Sequence, residues 1–528
     1  MIVPINDIGS PGVIKDIPAM QLAPGAWSDV NNVGFWGTYA RRVRGHSLLI
    51  PVSVVPYYLL EAQLAEQYFW LYAGLRKVYG FLGTTSADIT RAAGDYTGSV
   101  YDRWNGGNFN NTPFLNNGVD VPQMWDPISL SQPLQALPYW PSTYRAKVMR
   151  TFKTYMIALG ITKASTLYPR MVKWSDSADP GYLPGSWDET DPTKAAGEVT
   201  LSEGADPLVD CMVLGDSNIL YLEDTTWTQQ LSGTETIFTF AKAFNMSGLL
   251  AQDCVQSFRS NHFAVTQDDL IVHDGITITS VADDRLRRWF FVNLDSSVFQ
   301  ITFTLIDRRN REIWVCFPMS GGGVCTTALV WNWFLGTWTI RDLPDIRAGA
   351  SSIHSPTYVN DLWDGADTYD WDTESTQDWA LPGNRVYAEV LLLAPADLSG
   401  VMQVDDSNSF AGTDFASYVE RTGLSVVALS TDGKTVADPE IWKTLIAIHP
   451  RIKAPISAQF SIELGSQIVP EGTVTWNAAQ TFTVGTDLKV DANPPVCGRF
   501  FAVRISHAGG VDWDLYGYDL DVVAGGQL

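Results

Sequence analysis

The residues most able to do chemistry in this chain of 528 residues are carboxylates, because 58 aspartates and glutamates stand against 35 lysines and arginines. Residues 177–181, Ser-Ala-Asp-Pro-Gly, match the start of the Asp-box, Ser-x-Asp-x-Gly-x-x-Trp, without its final tryptophan. That motif is a turn whose Asp accepts backbone N–H groups. A glycosidase needs two carboxylates on facing elements, and a sialidase needs an Arg cluster and a Tyr nucleophile. No such set is marked by its sequence context, so we predict no catalytic residue.

The histidines and cysteines are too scattered to indicate a metal or redox site. The six histidines include no i,i+4 or His-x-His pair, and the five cysteines include no Cys-x-x-Cys pair. Hydrogen-bonded imidazoles and reduced, buried thiols are the expected outcome. The Gly-Gly-Gly of residues 321–323 lacks the Lys of a phosphate-binding loop, and no Gly-x-Ser-x-Gly elbow occurs. We predict that the chain has no metal, no cofactor and no enzymatic activity.

Arginines form the densest basic patches. The three groups are Arg285, Arg287 and Arg288 with Trp289; Arg308, Arg309 and Arg311; and Arg41, Arg42 and Arg44. As nucleic-acid sites they would combine aromatic stacking with phosphate contacts. The net charge of −23 disfavours a surface that grips phosphate backbone, which favours salt bridges between subunits instead. We therefore predict that assembly contacts involve Arg41, Arg42, Arg287, Arg288 and Trp289.

Short strands must position these residues, because 45% of the chain is hydrophobic and 12% is aromatic. Residues 255–291 show the pattern most clearly. Phe263, Val265 and Ile271 alternate with polar neighbours around an Asp-Asp turn, and Asp274-Gly275 is typical of a hairpin. A basic segment then follows that is long enough for one or two helical turns. This stretch predicts a β-meander that must stack on similar units to bury its faces.

Strand signals recur every 8 to 12 residues, in units of roughly 40 to 50 residues that are typical of β-propeller blades. We predict an all-β fold: a β-propeller with six or seven irregular blades and one or more additional β-sandwich-like domains. A stack of β-sandwich domains would produce a similar pattern. The predicted divisions are an N-terminal arm and hairpin over residues 1–60, a propeller with inserted loops over 61–385, and a C-terminal β domain over 386–528.

Three stretches carry motifs of one known family. The first is Pro, Ala-Trp-Ser, Asn-Val, a Gly turn and Arg-Arg-x-x-Gly: Pro24, Ala26, Trp27, Ser28, Asn32, Val33, Gly37, Arg41, Arg42 and Gly45. The second is Val-Lys-Trp-Ser-Asp at 172–176, followed by Asp179-Pro180, Trp187 and Gly197. The third is Gly-Arg at 498–499, followed by Arg504, Trp513, Leu515, Gly517-Tyr518 and Asp521. Together they resemble the tail nozzle proteins of short-tailed bacteriophages, also described as tail hub, tail tubular protein B-like or head-completion stabilisation proteins.

The resemblance implies a structural virion protein that assembles as a homo-oligomer, a closed ring of six around the DNA channel. Such a ring extends the portal–adaptor channel, gates the ejection of double-stranded viral DNA without reading its sequence, and docks fibres or spikes. The N-terminal arm would dock the adaptor. From the net charge we add the hypothesis that the lumen is acidic, since an acidic wall would let DNA slide.

The N-terminal residues show no basic region followed by an apolar run, and no stretch approaches the roughly 18 apolar residues of a membrane span. We therefore expect assembly in the host cytoplasm, a final location in the virion tail, and no membrane insertion. The alternative function is a carbohydrate-active or carbohydrate-binding, sialidase-like propeller acting on host surface glycans. A cellular propeller scaffold would fit the fold but would not account for the terminal motifs.

Overall fold

A computed structural model describes residues 2–64, 67–83, 85–126, 129–233, 236–319, 321–354, 388–429, 435–437 and 442–524. The described chain is nearly all β, as predicted. Its helices are one α-helix, α1 (Arg287–Asn293), and two 3-10 helices at Ala19–Gln21 and Phe299–Ile301. Within these ranges, no helix has both the length and the apolar character required to cross a membrane.

The N-terminal region forms five short strands. They are β1 (Ile2–Ile5), β2 (Asp29–Asn31), β3 (Val33–Trp36), β4 (Tyr39–Arg42) and β5 (Gly45–Ile50). The predicted hairpin is confirmed: β3 pairs with β4, and Gly37 makes the tight turn with a φ of 62°, which favours glycine.

Five four-stranded antiparallel meanders follow, each a separate sheet. Blade 1 contains β6 (Tyr58–Leu64), β7 (Gln67–Ala73), β8 (Val78–Leu82) and β9 (Thr85–Asp88). Blade 2 contains β10 (Asn105–Phe109), β11 (Thr112–Asn116), β12 (Gln123–Met124) and β13 (Gln135–Ala136). Blade 3 contains β14 (Tyr144–Phe152), β15 (Tyr155–Lys163), β16 (Thr166–Trp174) and β17 (Gly197–Thr200).

Blade 4 contains β18 (Leu208–Leu214), β19 (Ser217–Leu222), β20 (Thr225–Leu231) and β21 (Phe238–Asn245). Blade 5 contains β22 (Val255–Phe258), β23 (Asn261–Val265), β24 (Leu270–His273) and β25 (Ile278–Ser280). Blade 5 confirms the meander predicted over residues 255–291, and residues 281–286 connect it to α1. Residues 175–196, between β16 and β17, form one of the loops that the sequence predicts within the propeller.

One seven-stranded sheet supplies two further blades because its fourth strand is shared. Its strands in chain order are β26 (Phe303–Asp307), β27 (Glu312–Phe317), β28 (Cys325–Asn332), β29 (Thr337–His354), β30 (Ala388–Pro395) and β31 (Val401–Ser407), with β5 pairing to β31. The first part of β29 pairs with β28 as the outer strand of blade 6, and its second part pairs with β30 as the inner strand of blade 7.

The inner strands form a closed ring. Consecutive contacts run β6, β10, β14, β18, β22, β26, β29 and back to β6. Hydrophobic clusters lie between neighbouring blades, including one between blades 7 and 1 that contains Trp70, Tyr72 and Leu392. The described residues therefore build a seven-bladed propeller whose last blade is completed by the N-terminal strand β5.

Most of the remaining strands form a β-sandwich together with β1 to β4. The remaining strands are β32 (Ser417–Leu424), β33 (Val426–Leu429), β34 (Thr435–Ala437), β35 (Lys443–Lys453), β36 (Gln459–Gln467), β37 (Thr475–Trp476), β38 (Gln480–Thr483), β39 (Val490–Gly498), β40 (Phe500–His507) and β41 (Asp514–Ala524). One sheet has the order β3-β4-β41-β35-β39 with β1 also on β41, and the other has β2-β32-β40-β36-β37 with β38 on β36. The pair β33-β34 stands apart.

Strand pairing divides the chain differently from the predicted boundaries. The predicted boundary near residue 385 lies outside the described residues, but β30 and β31 beyond it belong to blade 7. Residues 1–60 are not a separate arm, since β1 to β4 pair with C-terminal strands and β5 pairs with the propeller. The propeller is thus inserted between β4 and β32 of the sandwich. Sequence spacing locates strands but not their distant partners, which explains the difference.

Candidate interface at the propeller–sandwich junction

The chain passes between the sandwich and the propeller at two places, after β4 and before β32, and these crossings lie side by side. Between them His46 stacks on Phe410 with ring centroids 4.7 Å apart, and Phe410 stacks on Phe415 at 4.3 Å. The Arg42 guanidinium lies 3.9 Å from the Phe415 ring centroid. We call these four residues the junction stack. Gly45 adjoins it, where a Cβ would lie 2.2 Å from the Ser409 carbonyl oxygen, so the close approach requires glycine.

Arg42 has fewer partners than its burial demands. Its side chain is fully buried, yet only Nη2 donates a hydrogen bond, to the Asn408 carbonyl at 2.9 Å. Nε and Nη1 have no hydrogen-bond partner in the described chain, and Nη1 lies 3.9 Å from Asp512 Oδ1. Burial lowers the pKa of Arg42 from its usual value. Unsatisfied buried donors are costly, so an acceptor that reached Nε or Nη1 would relieve this cost.

Arg41, the next residue on β4, is already paired. Its Nε and Nη2 donate to the two carboxylate oxygens of Asp514 at 2.6 and 3.2 Å. The hydrogen bond to Asp514 raises the pKa of Arg41. Because β4 pairs with β41 at this point, the ion pair joins the N-terminal and C-terminal motifs.

A cleft of about 450 Å³ opens beside these arginines on the sandwich side. Its lining is Arg41, Arg42, Arg44, Lys453, Ala454, Pro455, Asp512, Trp513 and Asp514. We call it the sandwich-side cleft. Four cations against two carboxylates make it basic, in contrast to the acidic chain as a whole.

The other three predicted contact residues lie on α1. Asp16 from the N-terminal segment accepts the backbone N–H groups of Arg288 and Trp289 at 2.7 and 3.1 Å, which satisfies two donors of the first helical turn. Arg287 pairs with Asp283 at 3.0 Å, and the Trp289 ring packs on Phe317. Arg288 has an exposed side chain. The five predicted residues thus fall into two groups, one at the junction and one on α1.

A third group of charged residues was missed by the sequence reasoning. We call it the axial network: Tyr58, Arg103, Arg150, Asp210 and Asp253, each on or next to an inner strand of blades 1 to 5. Arg150 donates from Nε and Nη2 to Asp210 at 2.9 and 2.8 Å, and from Nη2 to Asp253 at 2.6 Å. The only sequence signal was a position on or beside an inner strand, which cannot be recognised before the blades are assigned.

The axial network closes the propeller channel. Arg103 next to blade 2 forms an ion pair with Asp253 next to blade 5 at 3.3 Å and donates to the Thr302 carbonyl before blade 6 at 3.0 Å. Blades 2 and 5 are not neighbours, so this pair must cross the propeller axis. Arg150 Nη1 also donates to the Gly106 carbonyl, which leaves each of its nitrogens bonded.

The axial network contains the residue types of a sialidase site, but its side chains are not free to bind a substrate. Both arginines are occupied by carboxylates and backbone carbonyls, so they have no free fork for a substrate carboxylate. Burial raises the pKa of Tyr58 above its usual value, which keeps the phenol protonated and unsuited to act as a nucleophile. The arrangement is a structural closure.

A second cleft, of about 430 Å³, lies on the propeller side of Arg42 between blades 6 and 7. We call it the blade-side cleft. Asp307 and Glu312 sit opposite each other on β26 and β27, and Asp405 faces them from the cleft wall, paired to Arg341 at 2.8 Å. Burial, followed by the charge of Asp405, raises the pKa of Glu312 to about 8. Burial also raises the pKa of Asp307. A protonated Glu312 could donate a proton near neutral pH.

Two histidines form a buried chain of hydrogen bonds between blades 4 and 5. The Gly275 N–H donates to His273 Nδ1, and His273 Nε2 donates to the Tyr221 hydroxyl at 2.6 Å. That hydroxyl donates to His262 Nδ1 at 2.8 Å, and His262 Nε2 donates to the Val213 carbonyl at 2.9 Å. Every ring nitrogen is satisfied only when both imidazoles are neutral. Burial lowers the pKa of each to about 4.

The central motif residues hold an inserted loop onto blade 3. Lys173 is fully buried and pairs with Glu189 at 2.5 Å, and Trp174 Nε1 donates to the Ala195 carbonyl at 2.8 Å. Asp176 accepts the Ala195 N–H at 2.9 Å. These side chains make structural contacts that attach the loop to blade 3.

The described residues contain no group of three or more His, Cys, Asp or Glu side chains that could hold a metal ion. The fold and these sites define a seven-bladed β-propeller protein with an interlocked β-sandwich. No family model and no curated protein matches the chain.

Solved structures give distant likenesses. Raptor from Chaetomium thermophilum is similar at 8% identity and a TM-score of 0.38, over 69% of this chain and 29% of that one. PorZ, a surface component of the type-IX secretion system of Porphyromonas gingivalis, is similar at 9% identity and a TM-score of 0.38, over 83% of this chain and 46% of that one. The chain spans less than half the length of either protein. Similarity this low carries no inference about function.

Proposed function

We propose that the protein is a structural virion component that forms the distal nozzle, or hub, ring of a short phage tail. In this role it extends and gates the DNA ejection channel, and it docks the adaptor on one side and fibres or spikes on the other. The proposal rests on the three motifs that resemble tail nozzle proteins. The non-catalytic use of their side chains supports it.

The observation that carries the proposal is the way the terminal motifs meet. Trp27 of the first motif packs on Tyr518 of the third, with ring centroids 6.0 Å apart. The Arg42 N–H donates to the Trp513 carbonyl at 3.1 Å, and Arg41 pairs with Asp514. Motifs some 470 residues apart in sequence therefore build one body, which fits an architectural role better than a reactive one.

The closed propeller channel limits where DNA could pass in the proposed ring. Because the axial network crosses the axis, DNA has no path through the propeller of a single subunit. In the proposed ring the lumen lies between subunits. We keep the hypothesis that its lining is acidic, and an assembled ring with a mainly basic lumen would contradict it.

Imaging of the purified chain tests the proposed ring. We expect particles of about six times the 58.2 kDa chain mass, with six-fold symmetry in negative-stain micrographs, formed alone or on addition of the portal–adaptor complex. Antibody labelling of virions should then mark the distal end of the tail. A chain that stays monomeric under both conditions, or labelling away from the tail, would contradict the proposal.

A carbohydrate-active propeller is the second candidate, favoured by the blade-side cleft. A Glu312 carboxyl with a pKa of about 8 could serve as a general acid. The test is hydrolysis of a panel of host-surface glycans by the wild type and by Glu312→Gln. Turnover that the Gln variant abolishes would establish the enzyme, and absence of turnover in the wild type would exclude it for that panel.

A further inference from the structure

The sandwich-side cleft combines a buried cation with two exposed ones. Arg42 reaches the cleft from β4, Arg44 from the connection to β5, and Lys453 from the end of β35. Arg44 and Lys453 are exposed and form no ion pair with any residue in the described ranges. Arg41 is the exception, because Asp514 neutralises it. Three positive groups therefore face one cleft without a closely paired carboxylate.

Arg42 distinguishes this cleft from an ordinary basic surface. Surface lysines and arginines satisfy their donors with water, whereas Arg42 Nε and Nη1 are buried and unbonded. Nη1 faces Asp512, which also lines the cleft, across a gap of 3.9 Å. An oxygen atom placed near Nη1 would accept a hydrogen bond that the guanidinium now lacks. The stack on Phe415 already fixes the plane of the guanidinium.

We propose that the sandwich-side cleft binds the side-chain carboxylates of an acidic peptide segment presented by another protein chain. A carboxylate matches the planar fork of a guanidinium, and charge-assisted bonds of this kind are about twice as strong as neutral ones. Arg44 and Lys453 at the rim attract further acidic side chains of the same segment.

The rim favours a peptide over a nucleic acid. Asp512 and Asp514 border the cleft, and Asp405 and Asp406 line the blade-side cleft beyond Arg42. A phosphate backbone has a charge at every nucleotide and would meet these carboxylates along its length. A peptide places single carboxylates at chosen positions and can avoid them. The net charge of −23 also opposes polyanions elsewhere on the surface.

This inference deepens the proposed function by naming the chemistry of a docking partner. It rests on the proposed function only for the identity of that partner, a neighbouring component of the tail. Binding of an acidic peptide by the isolated full-length chain is measurable whether or not the chain forms rings.

Fluorescence anisotropy with labelled hexaglutamate tests the cleft. The comparison is wild type against Arg44→Glu/Lys453→Glu, with Lys153→Glu/Lys489→Glu as the matched control. The control makes the same change of net charge at two exposed lysines outside the cleft, each beside an aspartate. We expect the cleft variant to weaken binding by about tenfold or more, because it reverses two attractive charges, and the control to shift it by less than about threefold.

A second variant examines the buried guanidinium. Arg42→Met keeps an apolar side chain over Phe415 but removes the donors, and thermal melting confirms that it is folded before binding is measured. We expect weaker hexaglutamate binding with the rim charges intact. An unchanged affinity in this variant would contradict the role given to Arg42.

An oligothymidylate with six phosphates is the competing probe. Tighter binding of hexaglutamate supports the proposal. Equal or tighter binding of the oligothymidylate overturns it in favour of a nucleic-acid site, and equal affinity of wild type and cleft variant for hexaglutamate overturns the site itself. Mass photometry of the same samples separates the two claims. Rings without peptide binding refute this inference alone, and peptide binding without rings refutes the proposed function alone.

Discussion

Two buried arginines, one at the propeller axis and one at the junction, are treated in opposite ways by the fold. Arg150 has hydrogen bonds from all three nitrogens and is flanked by two carboxylates, Asp210 and Asp253. Arg42 is more deeply enclosed, with 0% of its side chain exposed against 18% for Arg150, but it bonds through a single nitrogen and its nearest carboxylate lies 3.9 Å away. The hydrogen bonds of Arg150 are all made within one chain. Those of Arg42 can be completed only by an additional acceptor.

The contrast distinguishes a charged side chain whose partners all lie within the fold from one that still lacks hydrogen-bond partners. A buried ion pair contributes little net stability, but removal of one partner leaves the other uncompensated. The axial network should therefore tolerate almost no change. At the junction, two donors of Arg42 are already unsatisfied, so loss of this cation should lower the free energy of unfolding much less. The loss should instead weaken the binding of a ligand.

Arg150→Met should lower the free energy of unfolding by about 3–5 kcal/mol, because Asp210 would remain buried without a cation and Asp253 would keep only Arg103. Urea denaturation followed by tryptophan fluorescence measures the change. Arg308→Met is the matched control, since Arg308 pairs with Glu389 at an exposed site and its loss should cost less than about 1 kcal/mol. Similar losses in both variants would contradict a structural role for the axial network.

The junction stack should make the protein sensitive to acid through His46. Burial, followed by the nearby Arg341, lowers the pKa of His46 to about 3. Histidine in the unfolded chain has a pKa near 6.5, so below that pH the unfolded chain binds a proton at His46 that the folded chain does not bind. The free energy of unfolding therefore falls as the pH drops from about 6.5 towards 4. His46→Phe keeps the stack and should retain about 2 kcal/mol more stability than wild type at about pH 4.5, relative to neutral pH.

Denaturation curves at neutral pH and at acid pH test this difference. His262 and His273 titrate in both proteins and cancel in the comparison, so a residual acid loss is expected in the variant as well. Parallel pH profiles for the two proteins would show that His46 is not kept neutral by its surroundings.

Arg42→Met should change the free energy of unfolding by about 1 kcal/mol or less. The variant loses one hydrogen bond to Asn408 but also removes two buried donors that have no partner, and methionine can still cover Phe415. The readout is the urea midpoint beside that of Arg150→Met. A loss as large as that of the axial variant would remove the distinction between the two sites.

Arg41→Ala should have the smallest effect, below about 1 kcal/mol, although it deletes a two-pronged ion pair. The Arg41 side chain is 47% exposed, so water and salt screen its interaction with Asp514. The loss should shrink further in high salt. A large, salt-independent loss in melting experiments would instead indicate that this pair is needed to join β4 to β41.

The sequence predicts those parts of the architecture that depend on local residue patterns. Alternation in residues 255–291 and the Gly37 turn predicted a meander and a hairpin, and both are present because side-chain period and turn chemistry are local properties. Strand β15 shows the limit of such patterns. It is an apolar run, Tyr-Met-Ile-Ala-Leu, because both of its faces are covered by neighbouring blades.

Long-range pairing was not accessible. Nothing in residues 45–50 indicates that they complete a blade with residues 401–407, because the partners are set by closure of the whole ring. The same holds for the sites. Arg41 and Arg42 were selected as neighbours in sequence, yet their roles differ because Asp514 and Asp512 approach from a distant strand. The axial network was invisible because each member comes from a different blade.

The insertion of the propeller into the sandwich also sets an order of events during synthesis. Strands β1 to β4 are made before the propeller strands, but the C-terminal strands that pair with β1, β2 and β4 begin at Ser417. At about 5–20 residues per second, the interval between Arg42 and Ser417 lasts roughly 20–75 seconds. Blade 7 is completed when β5 pairs with β31, and all of its strands precede Ser417, so the propeller can close before β1, β2 and β4 have their C-terminal partners. The sandwich is consequently completed after the propeller.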